Sequence, residues 1–401
     1  MSEKVVLAYS GGLDTSVAVR WLKEKYALDV IALTVDVGNE RDFSAVQQKA
    51  LKVGAVKALV TDAKEAFVNG YIFPALQANA LYEGQYPLAT ALDRPLMAKL
   101  LVDLARKEGA TVVAHGCTGK GNDQVRFEVG VNTLAPDLKI LAPAREWGMT
   151  REETIAYAQR YDIPIPVTVS SPYSLDECLW GRAIECGVLE DPWIEPPADA
   201  FTWTNSPEQA PDKPEYVEIG FDKGIPVTVN GKQMDGIGLI MRLNDLAGKH
   251  GVGRIDHIED RVVGIKSREV YEAPAAVVLV QAHKALEGMV LSRDQLRFKQ
   301  AVTREYSDLV YNGHWFTGLR QDLTAYVRST QRFVTGTVRL KLFKGNSMVV
   351  GRKAPASLYD FGLATYDKGD VFDPSYAEGF IRLWGLSAKT QAQAQDMTEP
   401  S

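Results

Sequence analysis

Residues 4–16 read KVVLAYSGGLDTS, a continuous apolar run that passes through two glycines into a helical pattern. We predict a buried strand from Lys4 to Ser10 and a helix from Leu13 to Tyr26, where apolar residues recur at helical spacing. At such a junction the unpaired amides and the helix dipole attract an anion, and glycines let it approach the backbone closely. The stretch therefore predicts an α/β fold with a phosphate site at this turn. The alternative is an ordinary turn capped by serine and aspartate.

The alternation of strand and helix continues along the first part of the chain. Further strands are predicted at residues 29–37, 55–60, 111–114 and 139–142, and further helices at 43–53, 94–107 and 150–161. Strands that alternate with helices form a parallel sheet covered by helices. We therefore predict a parallel-sheet nucleotide-binding domain over residues 1–168.

A different pattern follows a cluster of prolines between Asp191 and Pro214, which is typical of an ordered loop or a linker. Strands are predicted at residues 216–219, 227–229, 336–343 and 347–352, with hairpin signals at Asn230-Gly231 and Gly345-Asn346, and helices at 274–286 and 293–309. This pattern predicts an α+β domain over residues 169–365. The remaining tail, 366–401, begins as an amphipathic stretch, and its last dozen polar residues are predicted to be disordered.

The composition restricts the partners and the compartment. A formal charge of −6, from 45 basic and 51 acidic residues, argues against a chain-wide nucleic-acid surface. The three cysteines have no C-x-x-C spacing, and no signal peptide or apolar run of about 20 residues is present. We expect a soluble, cytoplasmic protein without nucleic-acid or membrane partners.

The glycine loop differs from the common nucleotide motifs. It matches neither G-x-x-x-x-G-K-[ST] nor G-x-G-x-x-G, and no lysine within it is placed for a γ-phosphate. It resembles the loop of the N-type ATP pyrophosphatases, whose domain is adenine nucleotide α-hydrolase-like. These enzymes cleave ATP between its α and β phosphates, giving AMP and diphosphate. The loop alone does not choose among them.

A second loop, GCTGKGNDQVRFE at residues 116–128, also follows a predicted strand and leads into a helix. We predict that Thr118 and Asn122 cap this helix, and that Asp123 and Arg126, three residues apart, share one face. Both signs of charge suit an amino-acid substrate. The alternative is an ordinary helix cap with an exposed ion pair.

Several separated motifs accompany this loop, namely QYPLAT at 85–90, Arg94-Pro95, SPYSLDE at 171–177, HGVGRID at 250–256, Glu259 and KSREVYE at 266–272. In this order they resemble the signature set of the argininosuccinate synthetase family, over nearly the whole chain except the tail. That family joins citrulline to aspartate in arginine biosynthesis. The resemblance implies a citrullyl-adenylate intermediate and the products argininosuccinate, AMP and diphosphate, with ATP and Mg²⁺ required.

The resemblance also implies roles for individual residues. It places ATP at Ala8, Tyr9, Ser10, Gly11, Gly12, Leu13, Asp14, Thr15, Ser16, Val35 and Gly116. Citrulline falls at Tyr86, Asn122, Arg126, Ser174, Glu259 and Tyr271, and aspartate at Thr118, Asn122 and Asp123. This sequence departs from the family at Ala91 and Ala183, where many members have serines that contact citrulline, and at Val35, where an alanine is common. Each lost serine removes a hydrogen bond worth about 0.5–1.5 kcal/mol.

Four side chains have two interpretations each. Asp14 either helps to hold Mg²⁺-diphosphate or is a first-turn helix acid. Glu259 is either a buried partner of an ammonium group or an exposed acid in a charge run. We interpret Cys117 as a packing residue rather than a nucleophile, and His115 as a structural residue rather than a base.

The sequence leaves two other functions and the oligomeric state undecided. A tRNA-modifying ATP pyrophosphatase predicts a basic surface and working cysteines, and a non-catalytic nucleotide-binding module leaves the amino-acid motifs unexplained. Family members are homotetramers in which the C-terminal segment helps assembly. The aromatic residues of the tail therefore predict a subunit contact, unless the tail closes over its own domain.

Overall fold

The computed structural model describes residues 3–164 and 173–395. They form one compact unit that ends at Ala356 and a second that begins at Ser357. The predicted boundary between residues 168 and 169 lies outside the described residues, as does the start of the SPYSLDE motif, so the three predicted domain ranges stay predictions.

A five-stranded parallel sheet opens the first unit. Its strands are β1 (Lys4–Ala8), β2 (Asp29–Asp36), β3 (Lys57–Asp62), β4 (Val112–Ala114) and β5 (Lys139–Leu141), in the order β3-β2-β1-β4-β5. The helices in the same stretch of the chain are α1 (Leu13–Tyr26), α2 (Phe43–Val53), α3 (Lys64–Phe67), α4 (Phe73–Gln77), α5 (Ala89–Glu108), α6 (Asn122–Leu134), α7 (Pro143–Glu146) and α8 (Arg151–Arg160). The predicted parallel-sheet domain is confirmed.

The order of the strands reverses at β1, because β2 pairs on one side of it and β4 on the other. In open α/β sheets, ligands bind at the carboxyl ends of the strands at such a reversal. The two glycine loops follow β1 and β4, so the topology places both at this point.

Helix α5 begins at Ala89, five residues before the predicted start at Arg94. Pro95 lies inside the helix rather than in its first turn, where a proline is usually tolerated. The dipeptide Arg94-Pro95 therefore misled the prediction of where this helix begins.

Two antiparallel sheets build the rest of the first unit. One has the order β10-β9-β8-β13-β14 and the other the order β11-β12-β7-β6. The strands are β6 (Ser174–Cys178), β7 (Gly181–Glu185), β8 (Glu215–Asp222), β9 (Ile225–Val229), β10 (Lys232–Gln233), β11 (Arg254–Asp260), β12 (Lys266–Glu272), β13 (Gly336–Phe343) and β14 (Asn346–Lys353). Helices α9 (Gly236–Lys249), α10 (Pro274–Val290), α11 (Arg293–Tyr311) and α12 (Gly318–Thr330) accompany them. The predicted α+β architecture is confirmed.

The sheet of β6, β7, β11 and β12 was not predicted from the sequence. Its strands carry many charged side chains, as in KSREVYE of β12, so they lack the apolar alternation by which strands are recognised. The predicted turn at Gly345-Asn346 is shifted by one residue, because Asn346 begins β14 and Gly345 has a left-handed φ of 83°.

The second unit contains α13 (Phe361–Ala364), α14 (Ser375–Trp384) and α15 (Leu386–Ala394). Residues 390–394, which the composition predicted to be disordered, form the end of α15, and residues 396–401 lie outside the described part. None of the helices within the described residues is long and apolar enough to cross a membrane.

Candidate active site

A cavity of about 460 Å³ lies at the carboxyl ends of β1, β2 and β4. The sheet of β6, β7, β11 and β12 supplies the opposite wall, so distant parts of the sequence meet there. The predicted residues on its wall are Ala8, Tyr9, Ser10, Thr15, Val35, Tyr86, Gly116, Thr118, Asn122, Asp123, Arg126, Ser174, Glu259 and Tyr271. The other predicted residues, Gly11, Gly12, Leu13, Asp14 and Ser16, belong to the first loop but do not line the wall.

The first loop has the backbone of an anion site. Gly11 has a left-handed φ of 76°, and a Cβ there would lie 3.1 Å from Val46, so this position needs glycine. Gly12 is the N-cap of α1 and provides no side-chain cap, which leaves the first amides of the helix without an intrahelical acceptor. The hydroxyls of Ser10 and Thr15 lie 3.1 Å apart beside them. The amides, hydroxyls and helix dipole of this loop could thus hold a phosphate group.

The second loop packs directly on the first. A Cβ at Gly116 would lie 2.7 Å from the Thr15 methyl group, so only glycine allows this approach. The prediction that Thr118 and Asn122 cap α6 is wrong, because the N-cap is Gly121, without a side-chain hydrogen bond. Asn122 is instead the first helical residue, and its amide group reaches across the cavity, as described below.

Asp123 lies between two arginines. Arg94 donates from Nε to Oδ2 at 2.8 Å, and Arg126 donates from Nη1 to Oδ1 at 2.9 Å. Burial alone would raise the pKa of Asp123, but the two guanidinium groups outweigh it and hold the pKa below its ordinary value. Arg94 also contacts Asp93 and Asp176. The predicted pairing of Asp123 with Arg126 is therefore part of a larger, partly buried charge cluster.

Glu259 is 2% exposed, which excludes the interpretation of an exposed acid. Its carboxylate accepts from the Tyr271 hydroxyl at 2.7 Å and from the Tyr311 hydroxyl at 2.5 Å. The Tyr271 ring stacks on Tyr86 with centroids 4.3 Å apart, and the Tyr311 ring stacks on Tyr82 at 3.5 Å. Stacked rings thus fix both hydroxyl groups, and with them the carboxylate.

Tyr311 connects the two sides of the cavity. Its hydroxyl accepts from Asn122 Nδ2 at 2.8 Å, while Asn122 Oδ1 accepts from the Val262 amide at 2.9 Å. Arg126 donates from Nε to the Tyr311 carbonyl at 3.0 Å, and its guanidinium lies 4.8 Å from the centre of the Tyr311 ring. Arg126 and Glu259 therefore present opposite charges at the same end of the site, as a zwitterionic amino acid requires.

Ala91 and Ala183, the positions where the resemblance implies serines, lie in different surroundings. Ala183 lines the cavity on β7, whereas Ala91 is fully buried in α5 and is not among the residues on the cavity wall. Of the two, only Ala183 places its methyl group on the wall.

His115 and Cys117 have structural surroundings. His115 is buried, with Nε2 3.1 Å from Glu128 and Nδ1 accepting from the Cys117 amide at 3.2 Å. Burial, and then the Asp123 carboxylate, raise the pKa of the Cys117 thiol to about 12. The thiol is therefore protonated near neutral pH, which supports our interpretation of Cys117 as a packing residue.

Several residues at the site escaped the sequence analysis. Arg41, Arg261 and Glu269 line the cavity, Tyr311 bonds Glu259 on its wall, and Lys49 bonds Gly11 of the first loop. The segment that contains Arg41 and Lys49 follows β2, and the sequence did not predict that β2 pairs with β1 and so brings this segment to the first loop. No sequence signal marks Tyr311, which ends α11 far along the chain.

Known proteins resemble both halves of the chain. Residues 4–164 match the family described as arginosuccinate synthase N-terminal HUP domain, and residues 173–391 match the arginosuccinate synthase C-terminal domain. An argininosuccinate synthase from Dehalococcoides mccartyi is 66% identical over 399 residues, which span 100% of this chain and 98% of the relative. Those from Symbiobacterium thermophilum and Oceanobacillus iheyensis are 58% and 56% identical; the matches span 98% and 97% of this chain, and 98% and 94% of the relatives.

Proposed function

Because the chain belongs to the argininosuccinate synthase family, we propose that its 460 Å³ cavity is where citrulline and aspartate are joined. The enzyme is an ATP-dependent ligase that forms argininosuccinate, AMP and diphosphate. The observation that supports the location is the convergence of the phosphate loop, the Asp123 cluster and Glu259 on one cavity.

The chemistry requires two steps in this cavity. The ureido carbon of citrulline is a poor electrophile, so the ureido oxygen first attacks the α-phosphorus of ATP, and the bond to the β-phosphate breaks. The amine of aspartate then attacks the ureido carbon of the citrullyl-adenylate, AMP leaves with the oxygen, and the amine loses a proton. No covalent bond to the enzyme forms, so its contribution is positioning and electrostatic stabilisation.

The first loop is the proposed phosphate site. Ala8 to Ser16 provide amides, hydroxyls and the N-terminus of α1, and Val35 and Gly116 flank the nucleotide on the cavity wall. Donors that are already oriented need no reorganisation as charge moves to the departing diphosphate.

The amino acids occupy the other end of the cavity. We assign citrulline to Tyr86, Asn122, Arg126, Ser174, Glu259 and Tyr271, with Glu259 facing the ammonium group and Arg126 the carboxylate. We assign aspartate to Thr118, Asn122 and Asp123, where the ionised Asp123 suits an ammonium group and the neighbouring arginines suit carboxylates.

ATP is proposed to enter as its Mg²⁺ complex. Across residues 3–164 and 173–395, no three His, Cys, Asp or Glu side chains form a metal cluster. Mg²⁺ bound with nucleotides is held largely by phosphate oxygens and one or two carboxylates, which fits a single nearby acid. Burial raises the pKa of Asp14, with Arg151 opposing it, and a cation beside Asp14 would offset that desolvation. The ion would neutralise phosphate charge.

Diphosphate release from ATP tests the proposed reaction directly. We expect release with citrulline plus aspartate, and none with RNA or without an acceptor. Release with RNA alone would support a tRNA-modifying enzyme, and no release under any condition would support a nucleotide-binding module. Citrulline-dependent exchange of labelled diphosphate into ATP, without aspartate, would demonstrate the adenylate step.

Tyr311→Phe is expected to raise the KM for citrulline about 10-fold, because a hydrogen bond to the buried Glu259 carboxylate is lost. The kcat should change much less, since Tyr271 still orients the carboxylate. Steady-state kinetics with varied citrulline measures both. Tyr216→Phe, on an exposed side chain, is the matched control. An unchanged KM combined with lower thermal stability would mean that the hydroxyl only supports the fold.

We propose that the enzyme is a homotetramer assembled in part by α14. Tyr376, Phe380, Leu383 and Trp384 recur at helical spacing and are exposed, while the Glu378–Arg382 ion pair lies on the other side of the helix. Exposed apolar faces of this kind commonly bind protein. The cytoplasm is the proposed compartment, because Cys117, Cys178 and Cys186 are all free thiols.

Leu383→Asp is expected to reduce the assembled mass in sedimentation, because the leucine side chain is 76% exposed and a carboxylate would be buried in a subunit contact. Arg382→Gln, on the opposite face, should leave the mass unchanged. A wild-type monomer, or an unaltered tetramer with Leu383→Asp, would contradict the role of α14.

A further inference from the structure

Two cations outside the glycine loop are attached to its backbone. Arg41, on the connection between β2 and α2, donates from Nη1 to the Ser10 carbonyl at 3.1 Å and lines the cavity. Lys49, in α2, donates from Nζ to the Gly11 carbonyl at 2.8 Å. The connection after β2 and helix α2 thus bring two positive charges to a loop that contains no basic residue.

Neither cation forms a salt bridge with a carboxylate of the described residues, and each donates to an uncharged carbonyl oxygen instead. Burial lowers the pKa of Lys49, which is half-buried, whereas Arg41 is exposed at the rim of the cavity. Each cation can therefore pair with an anion that binds at the glycine loop.

The direction of the bound nucleotide follows from the two ends of the cavity. In an in-line displacement, the attacking ureido oxygen and the leaving diphosphate lie on opposite sides of the α-phosphorus. With citrulline at its proposed position on the side of Glu259 and Tyr271, the β and γ phosphates lie toward the first loop. Amides and hydroxyls there supply only partial charge, whereas the departing diphosphate carries several full negative charges.

We propose that Arg41 and Lys49 bind the β and γ phosphates of ATP and stabilise the diphosphate as it leaves. This rests on the proposed nucleotide site at residues 8–16. The two side chains supply the full positive charge that Walker-type loops obtain from a lysine within the loop. A purely structural role, in which they only tie α2 to the loop, predicts no preference between nucleotides that differ in these phosphates.

The test compares ligands with and without the β and γ phosphates. Calorimetry at constant excess Mg²⁺ measures the dissociation constants of ATP, inorganic diphosphate and AMP for Arg41→Gln, Lys49→Gln and Lys49→Arg. Lys52→Gln is the matched control, because Lys52 is exposed on the same helix. We expect each glutamine variant to bind ATP and diphosphate about 10- to 100-fold more weakly, with AMP binding unchanged. Lys49→Arg should recover most of the diphosphate affinity.

Two results would overturn this inference. An equal loss of AMP affinity would mean that the cations only shape the loop, and ATP affinity equal to that of Lys52→Gln would mean that they do not contact phosphate. Diphosphate formation by the wild type and by Lys52→Gln, with citrulline and aspartate, is measured in parallel. If the wild type forms no diphosphate, the proposed function is wrong. If it forms diphosphate but the variants bind ATP normally, only the proposed role of Arg41 and Lys49 is wrong.

Discussion

Glu259→Gln is expected to lower kcat/KM for citrulline by roughly 100- to 1,000-fold, which makes it one of the two most damaging single changes at the site. The carboxylate is buried and accepts from both Tyr271 and Tyr311, so its geometry is fixed before substrate arrives. Glutamine keeps the shape but removes the charge that faces the ammonium group. It also places an amide donor against one of the two tyrosine hydroxyls.

Steady-state kinetics with citrulline, and calorimetric binding of citrulline alone, measure this effect. Asp260→Asn is the control, since Asp260 is the exposed neighbour and pairs with Lys266 on the surface. Equal losses in the two variants, or a Glu259→Gln enzyme with normal citrulline binding, would remove Glu259 from the proposed citrulline site.

Asp123→Asn is expected to lower kcat/KM for aspartate by roughly 30- to 300-fold. The substitution leaves Arg94 and Arg126 close together without the carboxylate that bridges them. The loss should be larger for aspartate than for citrulline, because Arg126 keeps its hydrogen bond to the Tyr311 carbonyl. Steady-state measurement of the KM values for aspartate and for citrulline tests whether Asp123 binds aspartate.

Asp137→Asn is the matched control for this change, because Asp137 also bonds an arginine, Arg106, but on the exposed surface. Surface pairs of this kind contribute about 0–1 kcal/mol, so catalysis should not change. An unaltered KM for aspartate in Asp123→Asn, or a larger change in the KM for citrulline than in the KM for aspartate, would contradict the proposed aspartate position.

The parallel-sheet domain could be predicted because its signals are local. The helices from Leu13 to Tyr26 and from Phe43 to Val53 match at both ends, since apolar periodicity and the flanking glycines mark them. The same criteria failed to predict the start of α5, which contains Pro95, and the charged strands of the sheet β11-β12-β7-β6. In both places the tertiary structure overrides what a short window of sequence indicates.

The sequence predicted the site residues that lie within a recognisable motif. It did not predict the residues that reach the site from a distant helix or strand. Asn122 is an ordinary helix cap by sequence, yet its amide bonds Tyr311, 189 positions away. Arg41 and Lys49 reach the glycine loop only because β2 pairs with β1. The opposing walls of the cavity, the stacked rings and the two cations beside the glycine loop are brought together by the tertiary structure, so no spacing along the sequence predicts them.

The hydrogen bonds from Asn122 through Tyr311 to Glu259 run in one direction, since the Asn122 Nδ2 group can only donate, the carboxylate can only accept, and the hydroxyl does both. Removing any one of the three side chains leaves a polar group of its neighbour without a hydrogen-bond partner. Energetic effects at these three positions should therefore be strongly non-additive in double-mutant cycles. Among related chains, we expect the trio to co-vary or to stay invariant together.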